Sequence, residues 1–266
     1  MARKIVVANQ KGGVGKTTTA INLSASLASA EARTLLVDFD PQGNATAGLG
    51  IDRMGLKYTV YDVLCGDVSV NKAIYPTETE NLCLLPARSD LAGANVELLN
   101  LKDRQNCLRD ILRGIEDRFE YILIDCPPSL GILTVNAFVA ADSLLIPIQC
   151  EYFALEGLSD LMDTLERIRQ GFNPEIKIEG VLLTMFDERL NLSSQIAENV
   201  RSYLGKQMFE TIIPRNVRLA EAPSFGKPII MYEPRSKGAD SYMRLARELL
   251  ANSSASREGR LAQTGN

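Results

Sequence analysis

The chain has 266 residues, 45% of them hydrophobic and 23% charged, with a formal net charge of −4, which is ordinary for a globular protein with a sizeable core. It contains no histidine, which excludes Ser-His-Asp and Cys-His catalysis and removes the commonest metal ligand. Its five cysteines form no C-x-x-C pair, which favours reduced core thiols over a disulfide or zinc framework.

The sequence also carries no targeting signal or membrane anchor that we can identify. No run of 18 uncharged apolar residues occurs, and the N-terminal "MARKIVVANQ" has too few apolar residues for a secretory signal. We therefore expect a cytoplasmic protein that does not enter the membrane.

Apolar runs alternate with helical stretches along the chain. The runs rich in Val, Ile and Leu predict strands at 4–8, 34–39, 82–87, 121–126, 143–149 and 178–186. Helices are predicted between them, among others at 17–30, 103–116, 154–170, 193–204 and 239–250. Uninterrupted apolar runs are typical of strands covered on both faces, so the pattern predicts an α/β fold with a doubly wound, mostly parallel, twisted sheet between two helical layers.

The domain organisation predicted from composition is simple. No repeat, linker or composition break precedes residue 251, so residues 1–250 are predicted to form a single domain. The segment 251–266 is small, polar and aperiodic, and we expect it to be a disordered tail.

The first predicted strand leads into "NQKGGVGKTT" at residues 9–18. Glycines in this position let successive backbone amides turn inward and form an anion-binding nest at a helix N-terminus. Lys16 would reach the outer phosphates of a nucleotide, and the Thr17 hydroxyl would complete a magnesium shell. An incidental tight turn is the alternative, but glycines followed by Lys-Thr-Thr directly after a strand are specific. The predicted loop comprises Gly12, Gly13, Val14, Gly15, Lys16, Thr17 and Thr18.

The second predicted strand ends in "VDFDPQGN", which contains two carboxylates. Pro41 and Gly43 indicate that the chain is already turning at Asp40. We expect Asp40 to lie near the magnesium ion, through water, and to position or polarise the attacking water. Asp38 is open to either a functional or a structural interpretation, because a buried carboxylate needs hydrogen-bond partners in both cases.

The strand predicted at 121–126 ends in "LIDCPPS". Asp125 stands at the end of the strand, where a carboxylate can hold a magnesium-bound water. Strands often end in Asp, so this motif is weak alone. Together with the glycine-rich loop it indicates a Walker B site.

The C-terminal part of the chain is basic although the whole chain is acidic. Residues 189–247 contain ten Lys or Arg and five Asp or Glu, a net charge of +5. Such an asymmetry suggests an anionic partner, and a solvated helical surface is the alternative.

Six motifs together resemble the ParA/Soj type of chromosome partitioning ATPase, within the deviant Walker A class of P-loop ATPases: "KGGVGKTT", "DFDPQGNAT", "DCPPSLG", "CEYFALEGL", "EGVLLTMFDERLNL" and "IPRNVRLAEAPSFGKPI". The resemblance covers residues 3–250. It implies ATP and Mg²⁺ as cofactors and a homodimer in which two ATP-loaded subunits pair face to face. It also implies that Lys11 crosses to the partner's nucleotide and acts like an arginine finger. The implied catalytic residues are Lys11, Lys16 and Asp40.

The same resemblance assigns residues outside the nucleotide loop. It places Pro214 and Asn216 on the adenine side, and Arg189 and Arg218 on double-stranded DNA that is bound without sequence preference. Further DNA-contact candidates are Lys206, Arg215, Lys227 and Lys237. The implied partner is a ParB-type centromere-binding protein that stimulates hydrolysis, and the implied location is the nucleoid. Because the loop begins nine residues into the chain, we expect no N-terminal operator-binding domain.

Three alternatives share these motifs in part. A MinD-like membrane-associated ATPase needs a basic amphipathic C-terminal helix, which the last sixteen residues do not predict. The spacing of Tyr242, Leu245, Ala246 and Leu249 predicts a core face instead. An iron–sulfur ATPase needs a second cysteine matched to Cys126, and none stands in such a context. A P-loop metabolic ligase remains an alternative, because fold alone does not fix function.

Overall fold

The central sheet of the protein has seven strands in the computed structural model, which describes residues 1–151 and 154–263. The strands are β1 (Arg3–Val7), β2 (Thr34–Asp38), β3 (Tyr75–Pro76), β4 (Leu82–Leu85), β5 (Tyr121–Asp125), β6 (Ser143–Gln149) and β7 (Lys177–Thr184). Their order is β3-β4-β2-β5-β1-β6-β7, and only the β3–β4 pair is antiparallel. All six predicted strands are present. The additional strand, β3, has two residues and is too short to show a periodic pattern.

Eleven α-helices connect and cover the strands in the described residues. They are α1 (Lys16–Ser29), α2 (Asn44–Gly48), α3 (Val60–Leu64), α4 (Ala94–Glu97), α5 (Cys107–Arg113), α6 (Ile132–Ala140), α7 (Ala154–Gly171), α8 (Asn191–Leu204), α9 (Val217–Glu221), α10 (Ile229–Tyr232) and α11 (Lys237–Gln263). The sequence did not indicate α6, because most of its side chains are buried and it has no amphipathic pattern.

Alternate residues of each strand face different helical layers. In β1, Ile5 and Val7 pack into a core with α1 and α11, whereas Val6 packs into a second core with α5, α6, α7 and α8. Both faces of the sheet are therefore covered. This confirms the predicted doubly wound α/β fold, and it explains why the strands are continuously apolar.

Helix α11 begins as predicted and ends later than predicted. Tyr242, Leu245, Ala246 and Leu249 are buried against the α1 side of the sheet, which confirms their interpretation as a core face. The helix then continues to Gln263, where a disordered tail over 251–266 had been predicted. This part contains no proline to stop the helix. At its start, the Tyr121 hydroxyl donates to the Ser253 hydroxyl at 3.1 Å. Residues 264–266 lie outside the described residues.

No helix in the described part of the chain combines the length and the apolar character that a membrane-spanning helix requires.

The sheet register determines which segments meet at its carboxyl edge. Asp125 at the end of β5 is paired with Val7 of β1 on one side and with Asp38 of β2 on the other. The segments that follow these three strands therefore leave the sheet side by side. In open α/β sheets this edge is where ligands bind.

Candidate active site and basic cleft

The loop after β1 has the conformation that its glycines predict. Gly13 and Gly15 have φ values of 75° and 90°, in the left-handed region that favours glycine. The Thr184 hydroxyl at the end of β7 lies 2.9 Å from the carbonyl oxygen of Val14. The Asn9 side chain donates to the Pro147 carbonyl at 2.7 Å. The loop is therefore fixed to the neighbouring strands β6 and β7.

Lys16 lies inside this loop. Lys16 is the first residue of α1, and only 7% of it is exposed. Its ammonium donates a hydrogen bond to the carbonyl oxygen of Lys11 at 2.9 Å. Burial lowers the pKa of Lys16, and the nearby charges of Asp125 and Asp40 oppose this effect. An ammonium enclosed by a glycine-rich loop and close to two carboxylates is in a position to contact nucleotide phosphates.

Lys11 has different surroundings, at the rim of the same loop. Its side chain is 39% exposed and its ammonium forms an ion pair with Glu151, just beyond the end of β6. Its backbone amide donates to the Asn9 side chain at 3.0 Å. The two lysine side chains of the motif thus have different surroundings: Lys16 is enclosed, and the Lys11 side chain is partly exposed at the carboxyl edge.

Asp125 is a buried carboxylate whose oxygens accept no well-formed hydrogen bond from the described residues, although the Thr17 hydroxyl lies close enough to affect its pKa. Burial raises its pKa well above the ordinary value, and the charge of Asp38 adds to this effect. The neighbouring Thr17 hydroxyl and Lys16 ammonium lower the pKa in part. A carboxylate with both oxygens unsatisfied fits a role in holding the water ligands of a hard cation.

The residues present fit magnesium bound together with a nucleotide better than a protein-only metal site. The described residues contain no group of three or more His, Cys, Asp or Glu side chains that could hold a metal ion. Mg²⁺ typically uses one or two protein ligands and completes its octahedron with phosphate oxygens and waters. Thr17 and Asp125 provide that kind of partial site.

Asp38 holds the segment that follows β2. Its carboxylate accepts hydrogen bonds from the amide and the hydroxyl of Thr46, each at 2.7 Å. The Thr46 hydroxyl in turn accepts from the Ala87 amide at 3.0 Å, which links the segment to the end of β4. Burial raises the pKa of Asp38 to about 6. Of the functional and the structural interpretation of Asp38, these contacts favour the structural one.

Asp40 lies on a turn directly above the sheet edge. It is buried, and its carboxylate accepts from the Gln42 amide at 2.9 Å. The turn closes with a hydrogen bond of 2.9 Å from the Gly43 amide to the Asp40 carbonyl. Asp40 is close enough for its charge to raise the pKa of both Lys16 and Asp125. The structure therefore brings together the three side chains that the separate motifs predicted.

A second feature, the basic cleft, has a volume of about 480 Å³. Its charged lining consists of Arg189, Arg215, Lys237, Arg244, Asp187, Glu188 and Asp240. Four basic and three acidic side chains give the cleft a net charge of +1. The charge count from the sequence began at residue 189 and did not include the two acids directly before it.

Most of the basic side chains in the cleft have acidic partners. Arg189 is 83% exposed and contacts the Asp187 carboxylate through Nε at 2.8 Å and through a terminal nitrogen at 2.6 Å. These bonds lower the pKa of Asp187 to about 2. Lys237 pairs with Glu188 at 3.2 Å. An anion that bound in this cleft would therefore have to displace acidic partners, because charge alone gives an exposed, paired side chain little affinity.

The other predicted contact residues are divided between this cleft and its surroundings. Pro214 lines the cleft beside Arg189, whereas Asn216 caps α9 by accepting from the Arg218 amide at 2.8 Å. Arg218 pairs with Glu221 at 2.8 Å. Lys227 is exposed. The side chain of Lys206 lies outside the described residues.

Known proteins resemble this chain in sequence along almost its whole length. A family model described as an AAA domain matches residues 2–178. The chromosome partitioning protein ParA of Myxococcus xanthus (strain DK1622) is 59% identical over 94% of this chain and 88% of its own length. The sporulation initiation inhibitor protein Soj of Bacillus subtilis (strain 168) is 53% identical over 95% of this chain and 100% of its own length.

Solved structures share the fold. Cobyrinic acid a,c-diamide synthase from Mycobacterium smegmatis, with bound ADP and magnesium, has a TM-score of 0.83 and 37% identity, covering 96% of this chain and 97% of that one. The cell division ATPase MinD of Pyrococcus furiosus has a TM-score of 0.79 and 29% identity, covering 94% and 99%. With the partition proteins at more than half identity and the motifs assembled at one sheet edge, the chain belongs to the ParA/Soj family of chromosome partitioning ATPases.

Proposed function

We propose that the protein is a Mg²⁺-dependent ATPase whose ATP-loaded subunits pair face to face and then bind double-stranded DNA without sequence preference. Hydrolysis, stimulated by a ParB-type centromere-binding partner, separates the subunits and releases the DNA. The observation that carries this proposal is the contrast between two lysines of one motif. Lys16 is enclosed in the loop, and Lys11 lies at its exposed rim.

The nucleotide is proposed to bind along the loop from Lys11 to Thr18, with its base toward Pro214 and Asn216. The backbone supports this assignment, because the left-handed φ values of Gly13 and Gly15 just before α1 are compatible with amides that face a phosphate. Mg²⁺ would be held by Thr17 and, through water, by Asp125 and Asp40, and it would neutralise charge on the phosphates. The orphaned oxygens of Asp125 support its part in this site.

Hydrolysis is proposed to depend on three side chains with separate tasks. Lys16 stabilises negative charge on the outer phosphates of its own subunit. Asp40, held by the Gln42 amide, orients the attacking water and accepts its proton. Lys11 from the facing subunit adds a positive charge as the γ-phosphoryl group leaves. The electrostatic stabilisation that this charge provides is larger where water is excluded. Each site is complete only in the dimer, so the nucleotide controls assembly.

DNA is proposed to contact Arg189, whose exposed side chain lies at the basic cleft, and Arg218, with Arg215, Lys227, Lys237 and Lys206 as further contacts. A phosphate would replace Asp187 as the partner of Arg189. Because that exchange gives one subunit little affinity, we infer that two rigidly joined clefts are needed for useful binding. Residues 1–250 would act as one domain in the cytoplasm, on the nucleoid.

The test is an ATPase assay of the full chain under four conditions. These are the protein alone, the protein with nonspecific DNA, the protein with DNA and an N-terminal peptide of a ParB-type protein, and the protein with anionic lipid vesicles. The proposal predicts low basal turnover and the strongest stimulation by DNA with the peptide. Stimulation by vesicles in place of DNA would favour the membrane-associated alternative. A requirement for a small-molecule co-substrate would favour the ligase.

A further inference from the structure

The proposed catalytic residue Asp40 lies on a four-residue turn, residues 40–43, that is held from two sides. On the inner side the Asp38 carboxylate accepts from the Asp40 amide at 3.3 Å. Within the turn, the Gln42 amide donates to the Asp40 carboxylate at 2.9 Å. The direction of the Asp40 carboxylate therefore depends on the orientation of the peptide group that carries the Gln42 amide.

On the outer side, Arg53 holds the next peptide group of the same turn. Its guanidinium donates to the Gln42 carbonyl oxygen at 2.6 Å. Gln42 is thus fixed through its amide by Asp40 and through its carbonyl by Arg53. A charged donor at this distance makes a stronger hydrogen bond than a neutral one.

Arg53 also packs across the turn at Gly43. A Cβ atom added to Gly43 would lie 3.0 Å from Cδ of Arg53 and 2.8 Å from the Ala87 carbonyl oxygen. Gly43 has a φ of 62°, in the left-handed region. The turn therefore fits closely between Arg53 and the segment after β4, and it has little room to shift while Arg53 stays in place.

The surroundings of Arg53 indicate that this contact is its main one. It stands in the loop between α2 and α3, outside every motif that the sequence analysis used. Within the described residues it forms no ion pair, in contrast to Arg88, which lines the same open cleft of about 710 Å³ and pairs with Asp90 at 2.9 Å. The Gln42 carbonyl is therefore the one side-chain hydrogen-bond partner of the exposed Arg53 within the described residues.

We propose that Arg53 is a positioning residue for ATP hydrolysis. It acts through the Gln42 peptide, which keeps the Asp40 carboxylate directed at the attacking water. The inference rests on the proposed role of Asp40. Because Arg53 forms no hydrogen bond or ion pair with residues 9–18 within the described part of the chain, its removal should change the chemical step and leave ATP affinity and dimerisation unchanged.

The test measures the kcat and KM of ATP hydrolysis in four full-length variants, each with and without DNA and the ParB-type peptide. Arg53→Met keeps an unbranched apolar side chain across Gly43 but removes the donor, and it should lower kcat about tenfold with KM for ATP unchanged. Arg53→Lys keeps a charged donor and should recover most of the loss. Arg88→Ala is the matched control, because Arg88 donates to the Leu56 carbonyl and to Asp90 and should leave kcat at the wild-type value.

Asp40→Ala distinguishes a failure of the Arg53 proposal from a failure of the proposed function. Wild-type kcat in Arg53→Met, with an inactive Asp40→Ala, would overturn the role of Arg53 and leave the proposed function intact. An equal loss of kcat in Arg88→Ala would show that the charge of the cleft lined by Arg53 and Arg88 matters. It would also overturn the proposed positioning role of Arg53. A loss confined to the DNA- or peptide-stimulated rate would make Arg53 a contact for a partner. Full activity of Asp40→Ala would overturn both proposals.

Discussion

The carboxyl edge of the sheet and the basic cleft hold their charges in opposite ways. At the sheet edge Lys16, Asp38 and Asp125 are buried, and hydrogen bonds to a backbone carbonyl and to Thr46 hold Lys16 and Asp38 in place. In the basic cleft Arg189 and Lys237 are exposed and paired with neighbouring acids. One region is preorganised for a single ligand, and the other can exchange its partners.

The difference predicts how each region responds to substitution. A buried charge that is removed leaves its partners without compensation, whereas an exposed pair contributes little and is screened by salt. Single substitutions at the sheet edge should therefore abolish a step of the cycle. Single substitutions in the cleft should change an affinity by a modest factor.

The largest effect is expected for Asp40→Ala. Loss of the group that orients and deprotonates water should reduce kcat about 10³-fold, while ATP binding and dimerisation remain. The variant should accumulate as an ATP-bound dimer on DNA, which light scattering and gel shifts can detect. A monomeric variant, or one with normal turnover, would contradict the assignment.

Lys16→Ala should have the next largest effect, on binding. The phosphates would lose a charge-assisted hydrogen bond inside the loop, and affinity for ATP should fall by about 100-fold. Titration calorimetry with a slowly hydrolysed ATP analogue measures this directly. The thermal unfolding profile shows whether the variant is folded, and retained ATP affinity in a folded variant would disprove the phosphate-loop assignment.

Asp38 gives the sheet edge a pH-dependent stability when nucleotide and magnesium are absent. Its pKa rises from 3.8 to about 6, so the folded state binds this proton more tightly than the unfolded state does. The stabilisation is complete below about pH 4 and is lost as the pH rises through about 6. In Asp38→Asn, urea unfolding should give a flatter dependence over this range. Equal slopes in the two proteins would contradict this interpretation.

The smallest effects are expected in the basic cleft, and a matched pair of variants sharpens them. Arg189→Glu should weaken DNA binding about tenfold at moderate salt and leave ATP-driven dimerisation intact. Asp187→Asn removes the competing carboxylate and should strengthen binding, with a comparable gain. Gel shifts across a salt series provide the measurement. Unchanged affinity in both variants would move the DNA site elsewhere.

The sheet edge could be predicted from the sequence because strand ends determine its geometry. Apolar runs located β1, β2 and β5 and placed Asp38 and Asp125 at strand ends on one edge of a parallel sheet, whereas the pairing of these two residues follows from the strand order that the structure shows. The sequence could not show which carboxylate was structural, because that depends on Thr46 and on the Ala87 amide, at positions that no motif marks.

The basic cleft was predicted less well, for a different physical reason. A charge count over a segment contains no information on pairing, and the acids that pair with Arg189 and Lys237 stand just before the counted segment. Arg53 was also missed, because its contact with Gln42 is formed by an irregular loop without periodicity. The continuation of α11 to Gln263 was missed because its composition is polar.

The central claim is that Lys11 completes the active site of the partner subunit, and a mixing experiment tests it most directly. Lys11→Ala and Asp40→Ala should each be nearly inactive alone. In a mixed dimer, the subunit that retains Asp40 receives Lys11 from its partner, so one of the two sites is complete. Random mixing of equal amounts makes half the dimers mixed, and turnover should return to about a quarter of the wild-type rate. No recovery in verified mixed dimers, or normal turnover by Lys11→Ala alone, would contradict the claim.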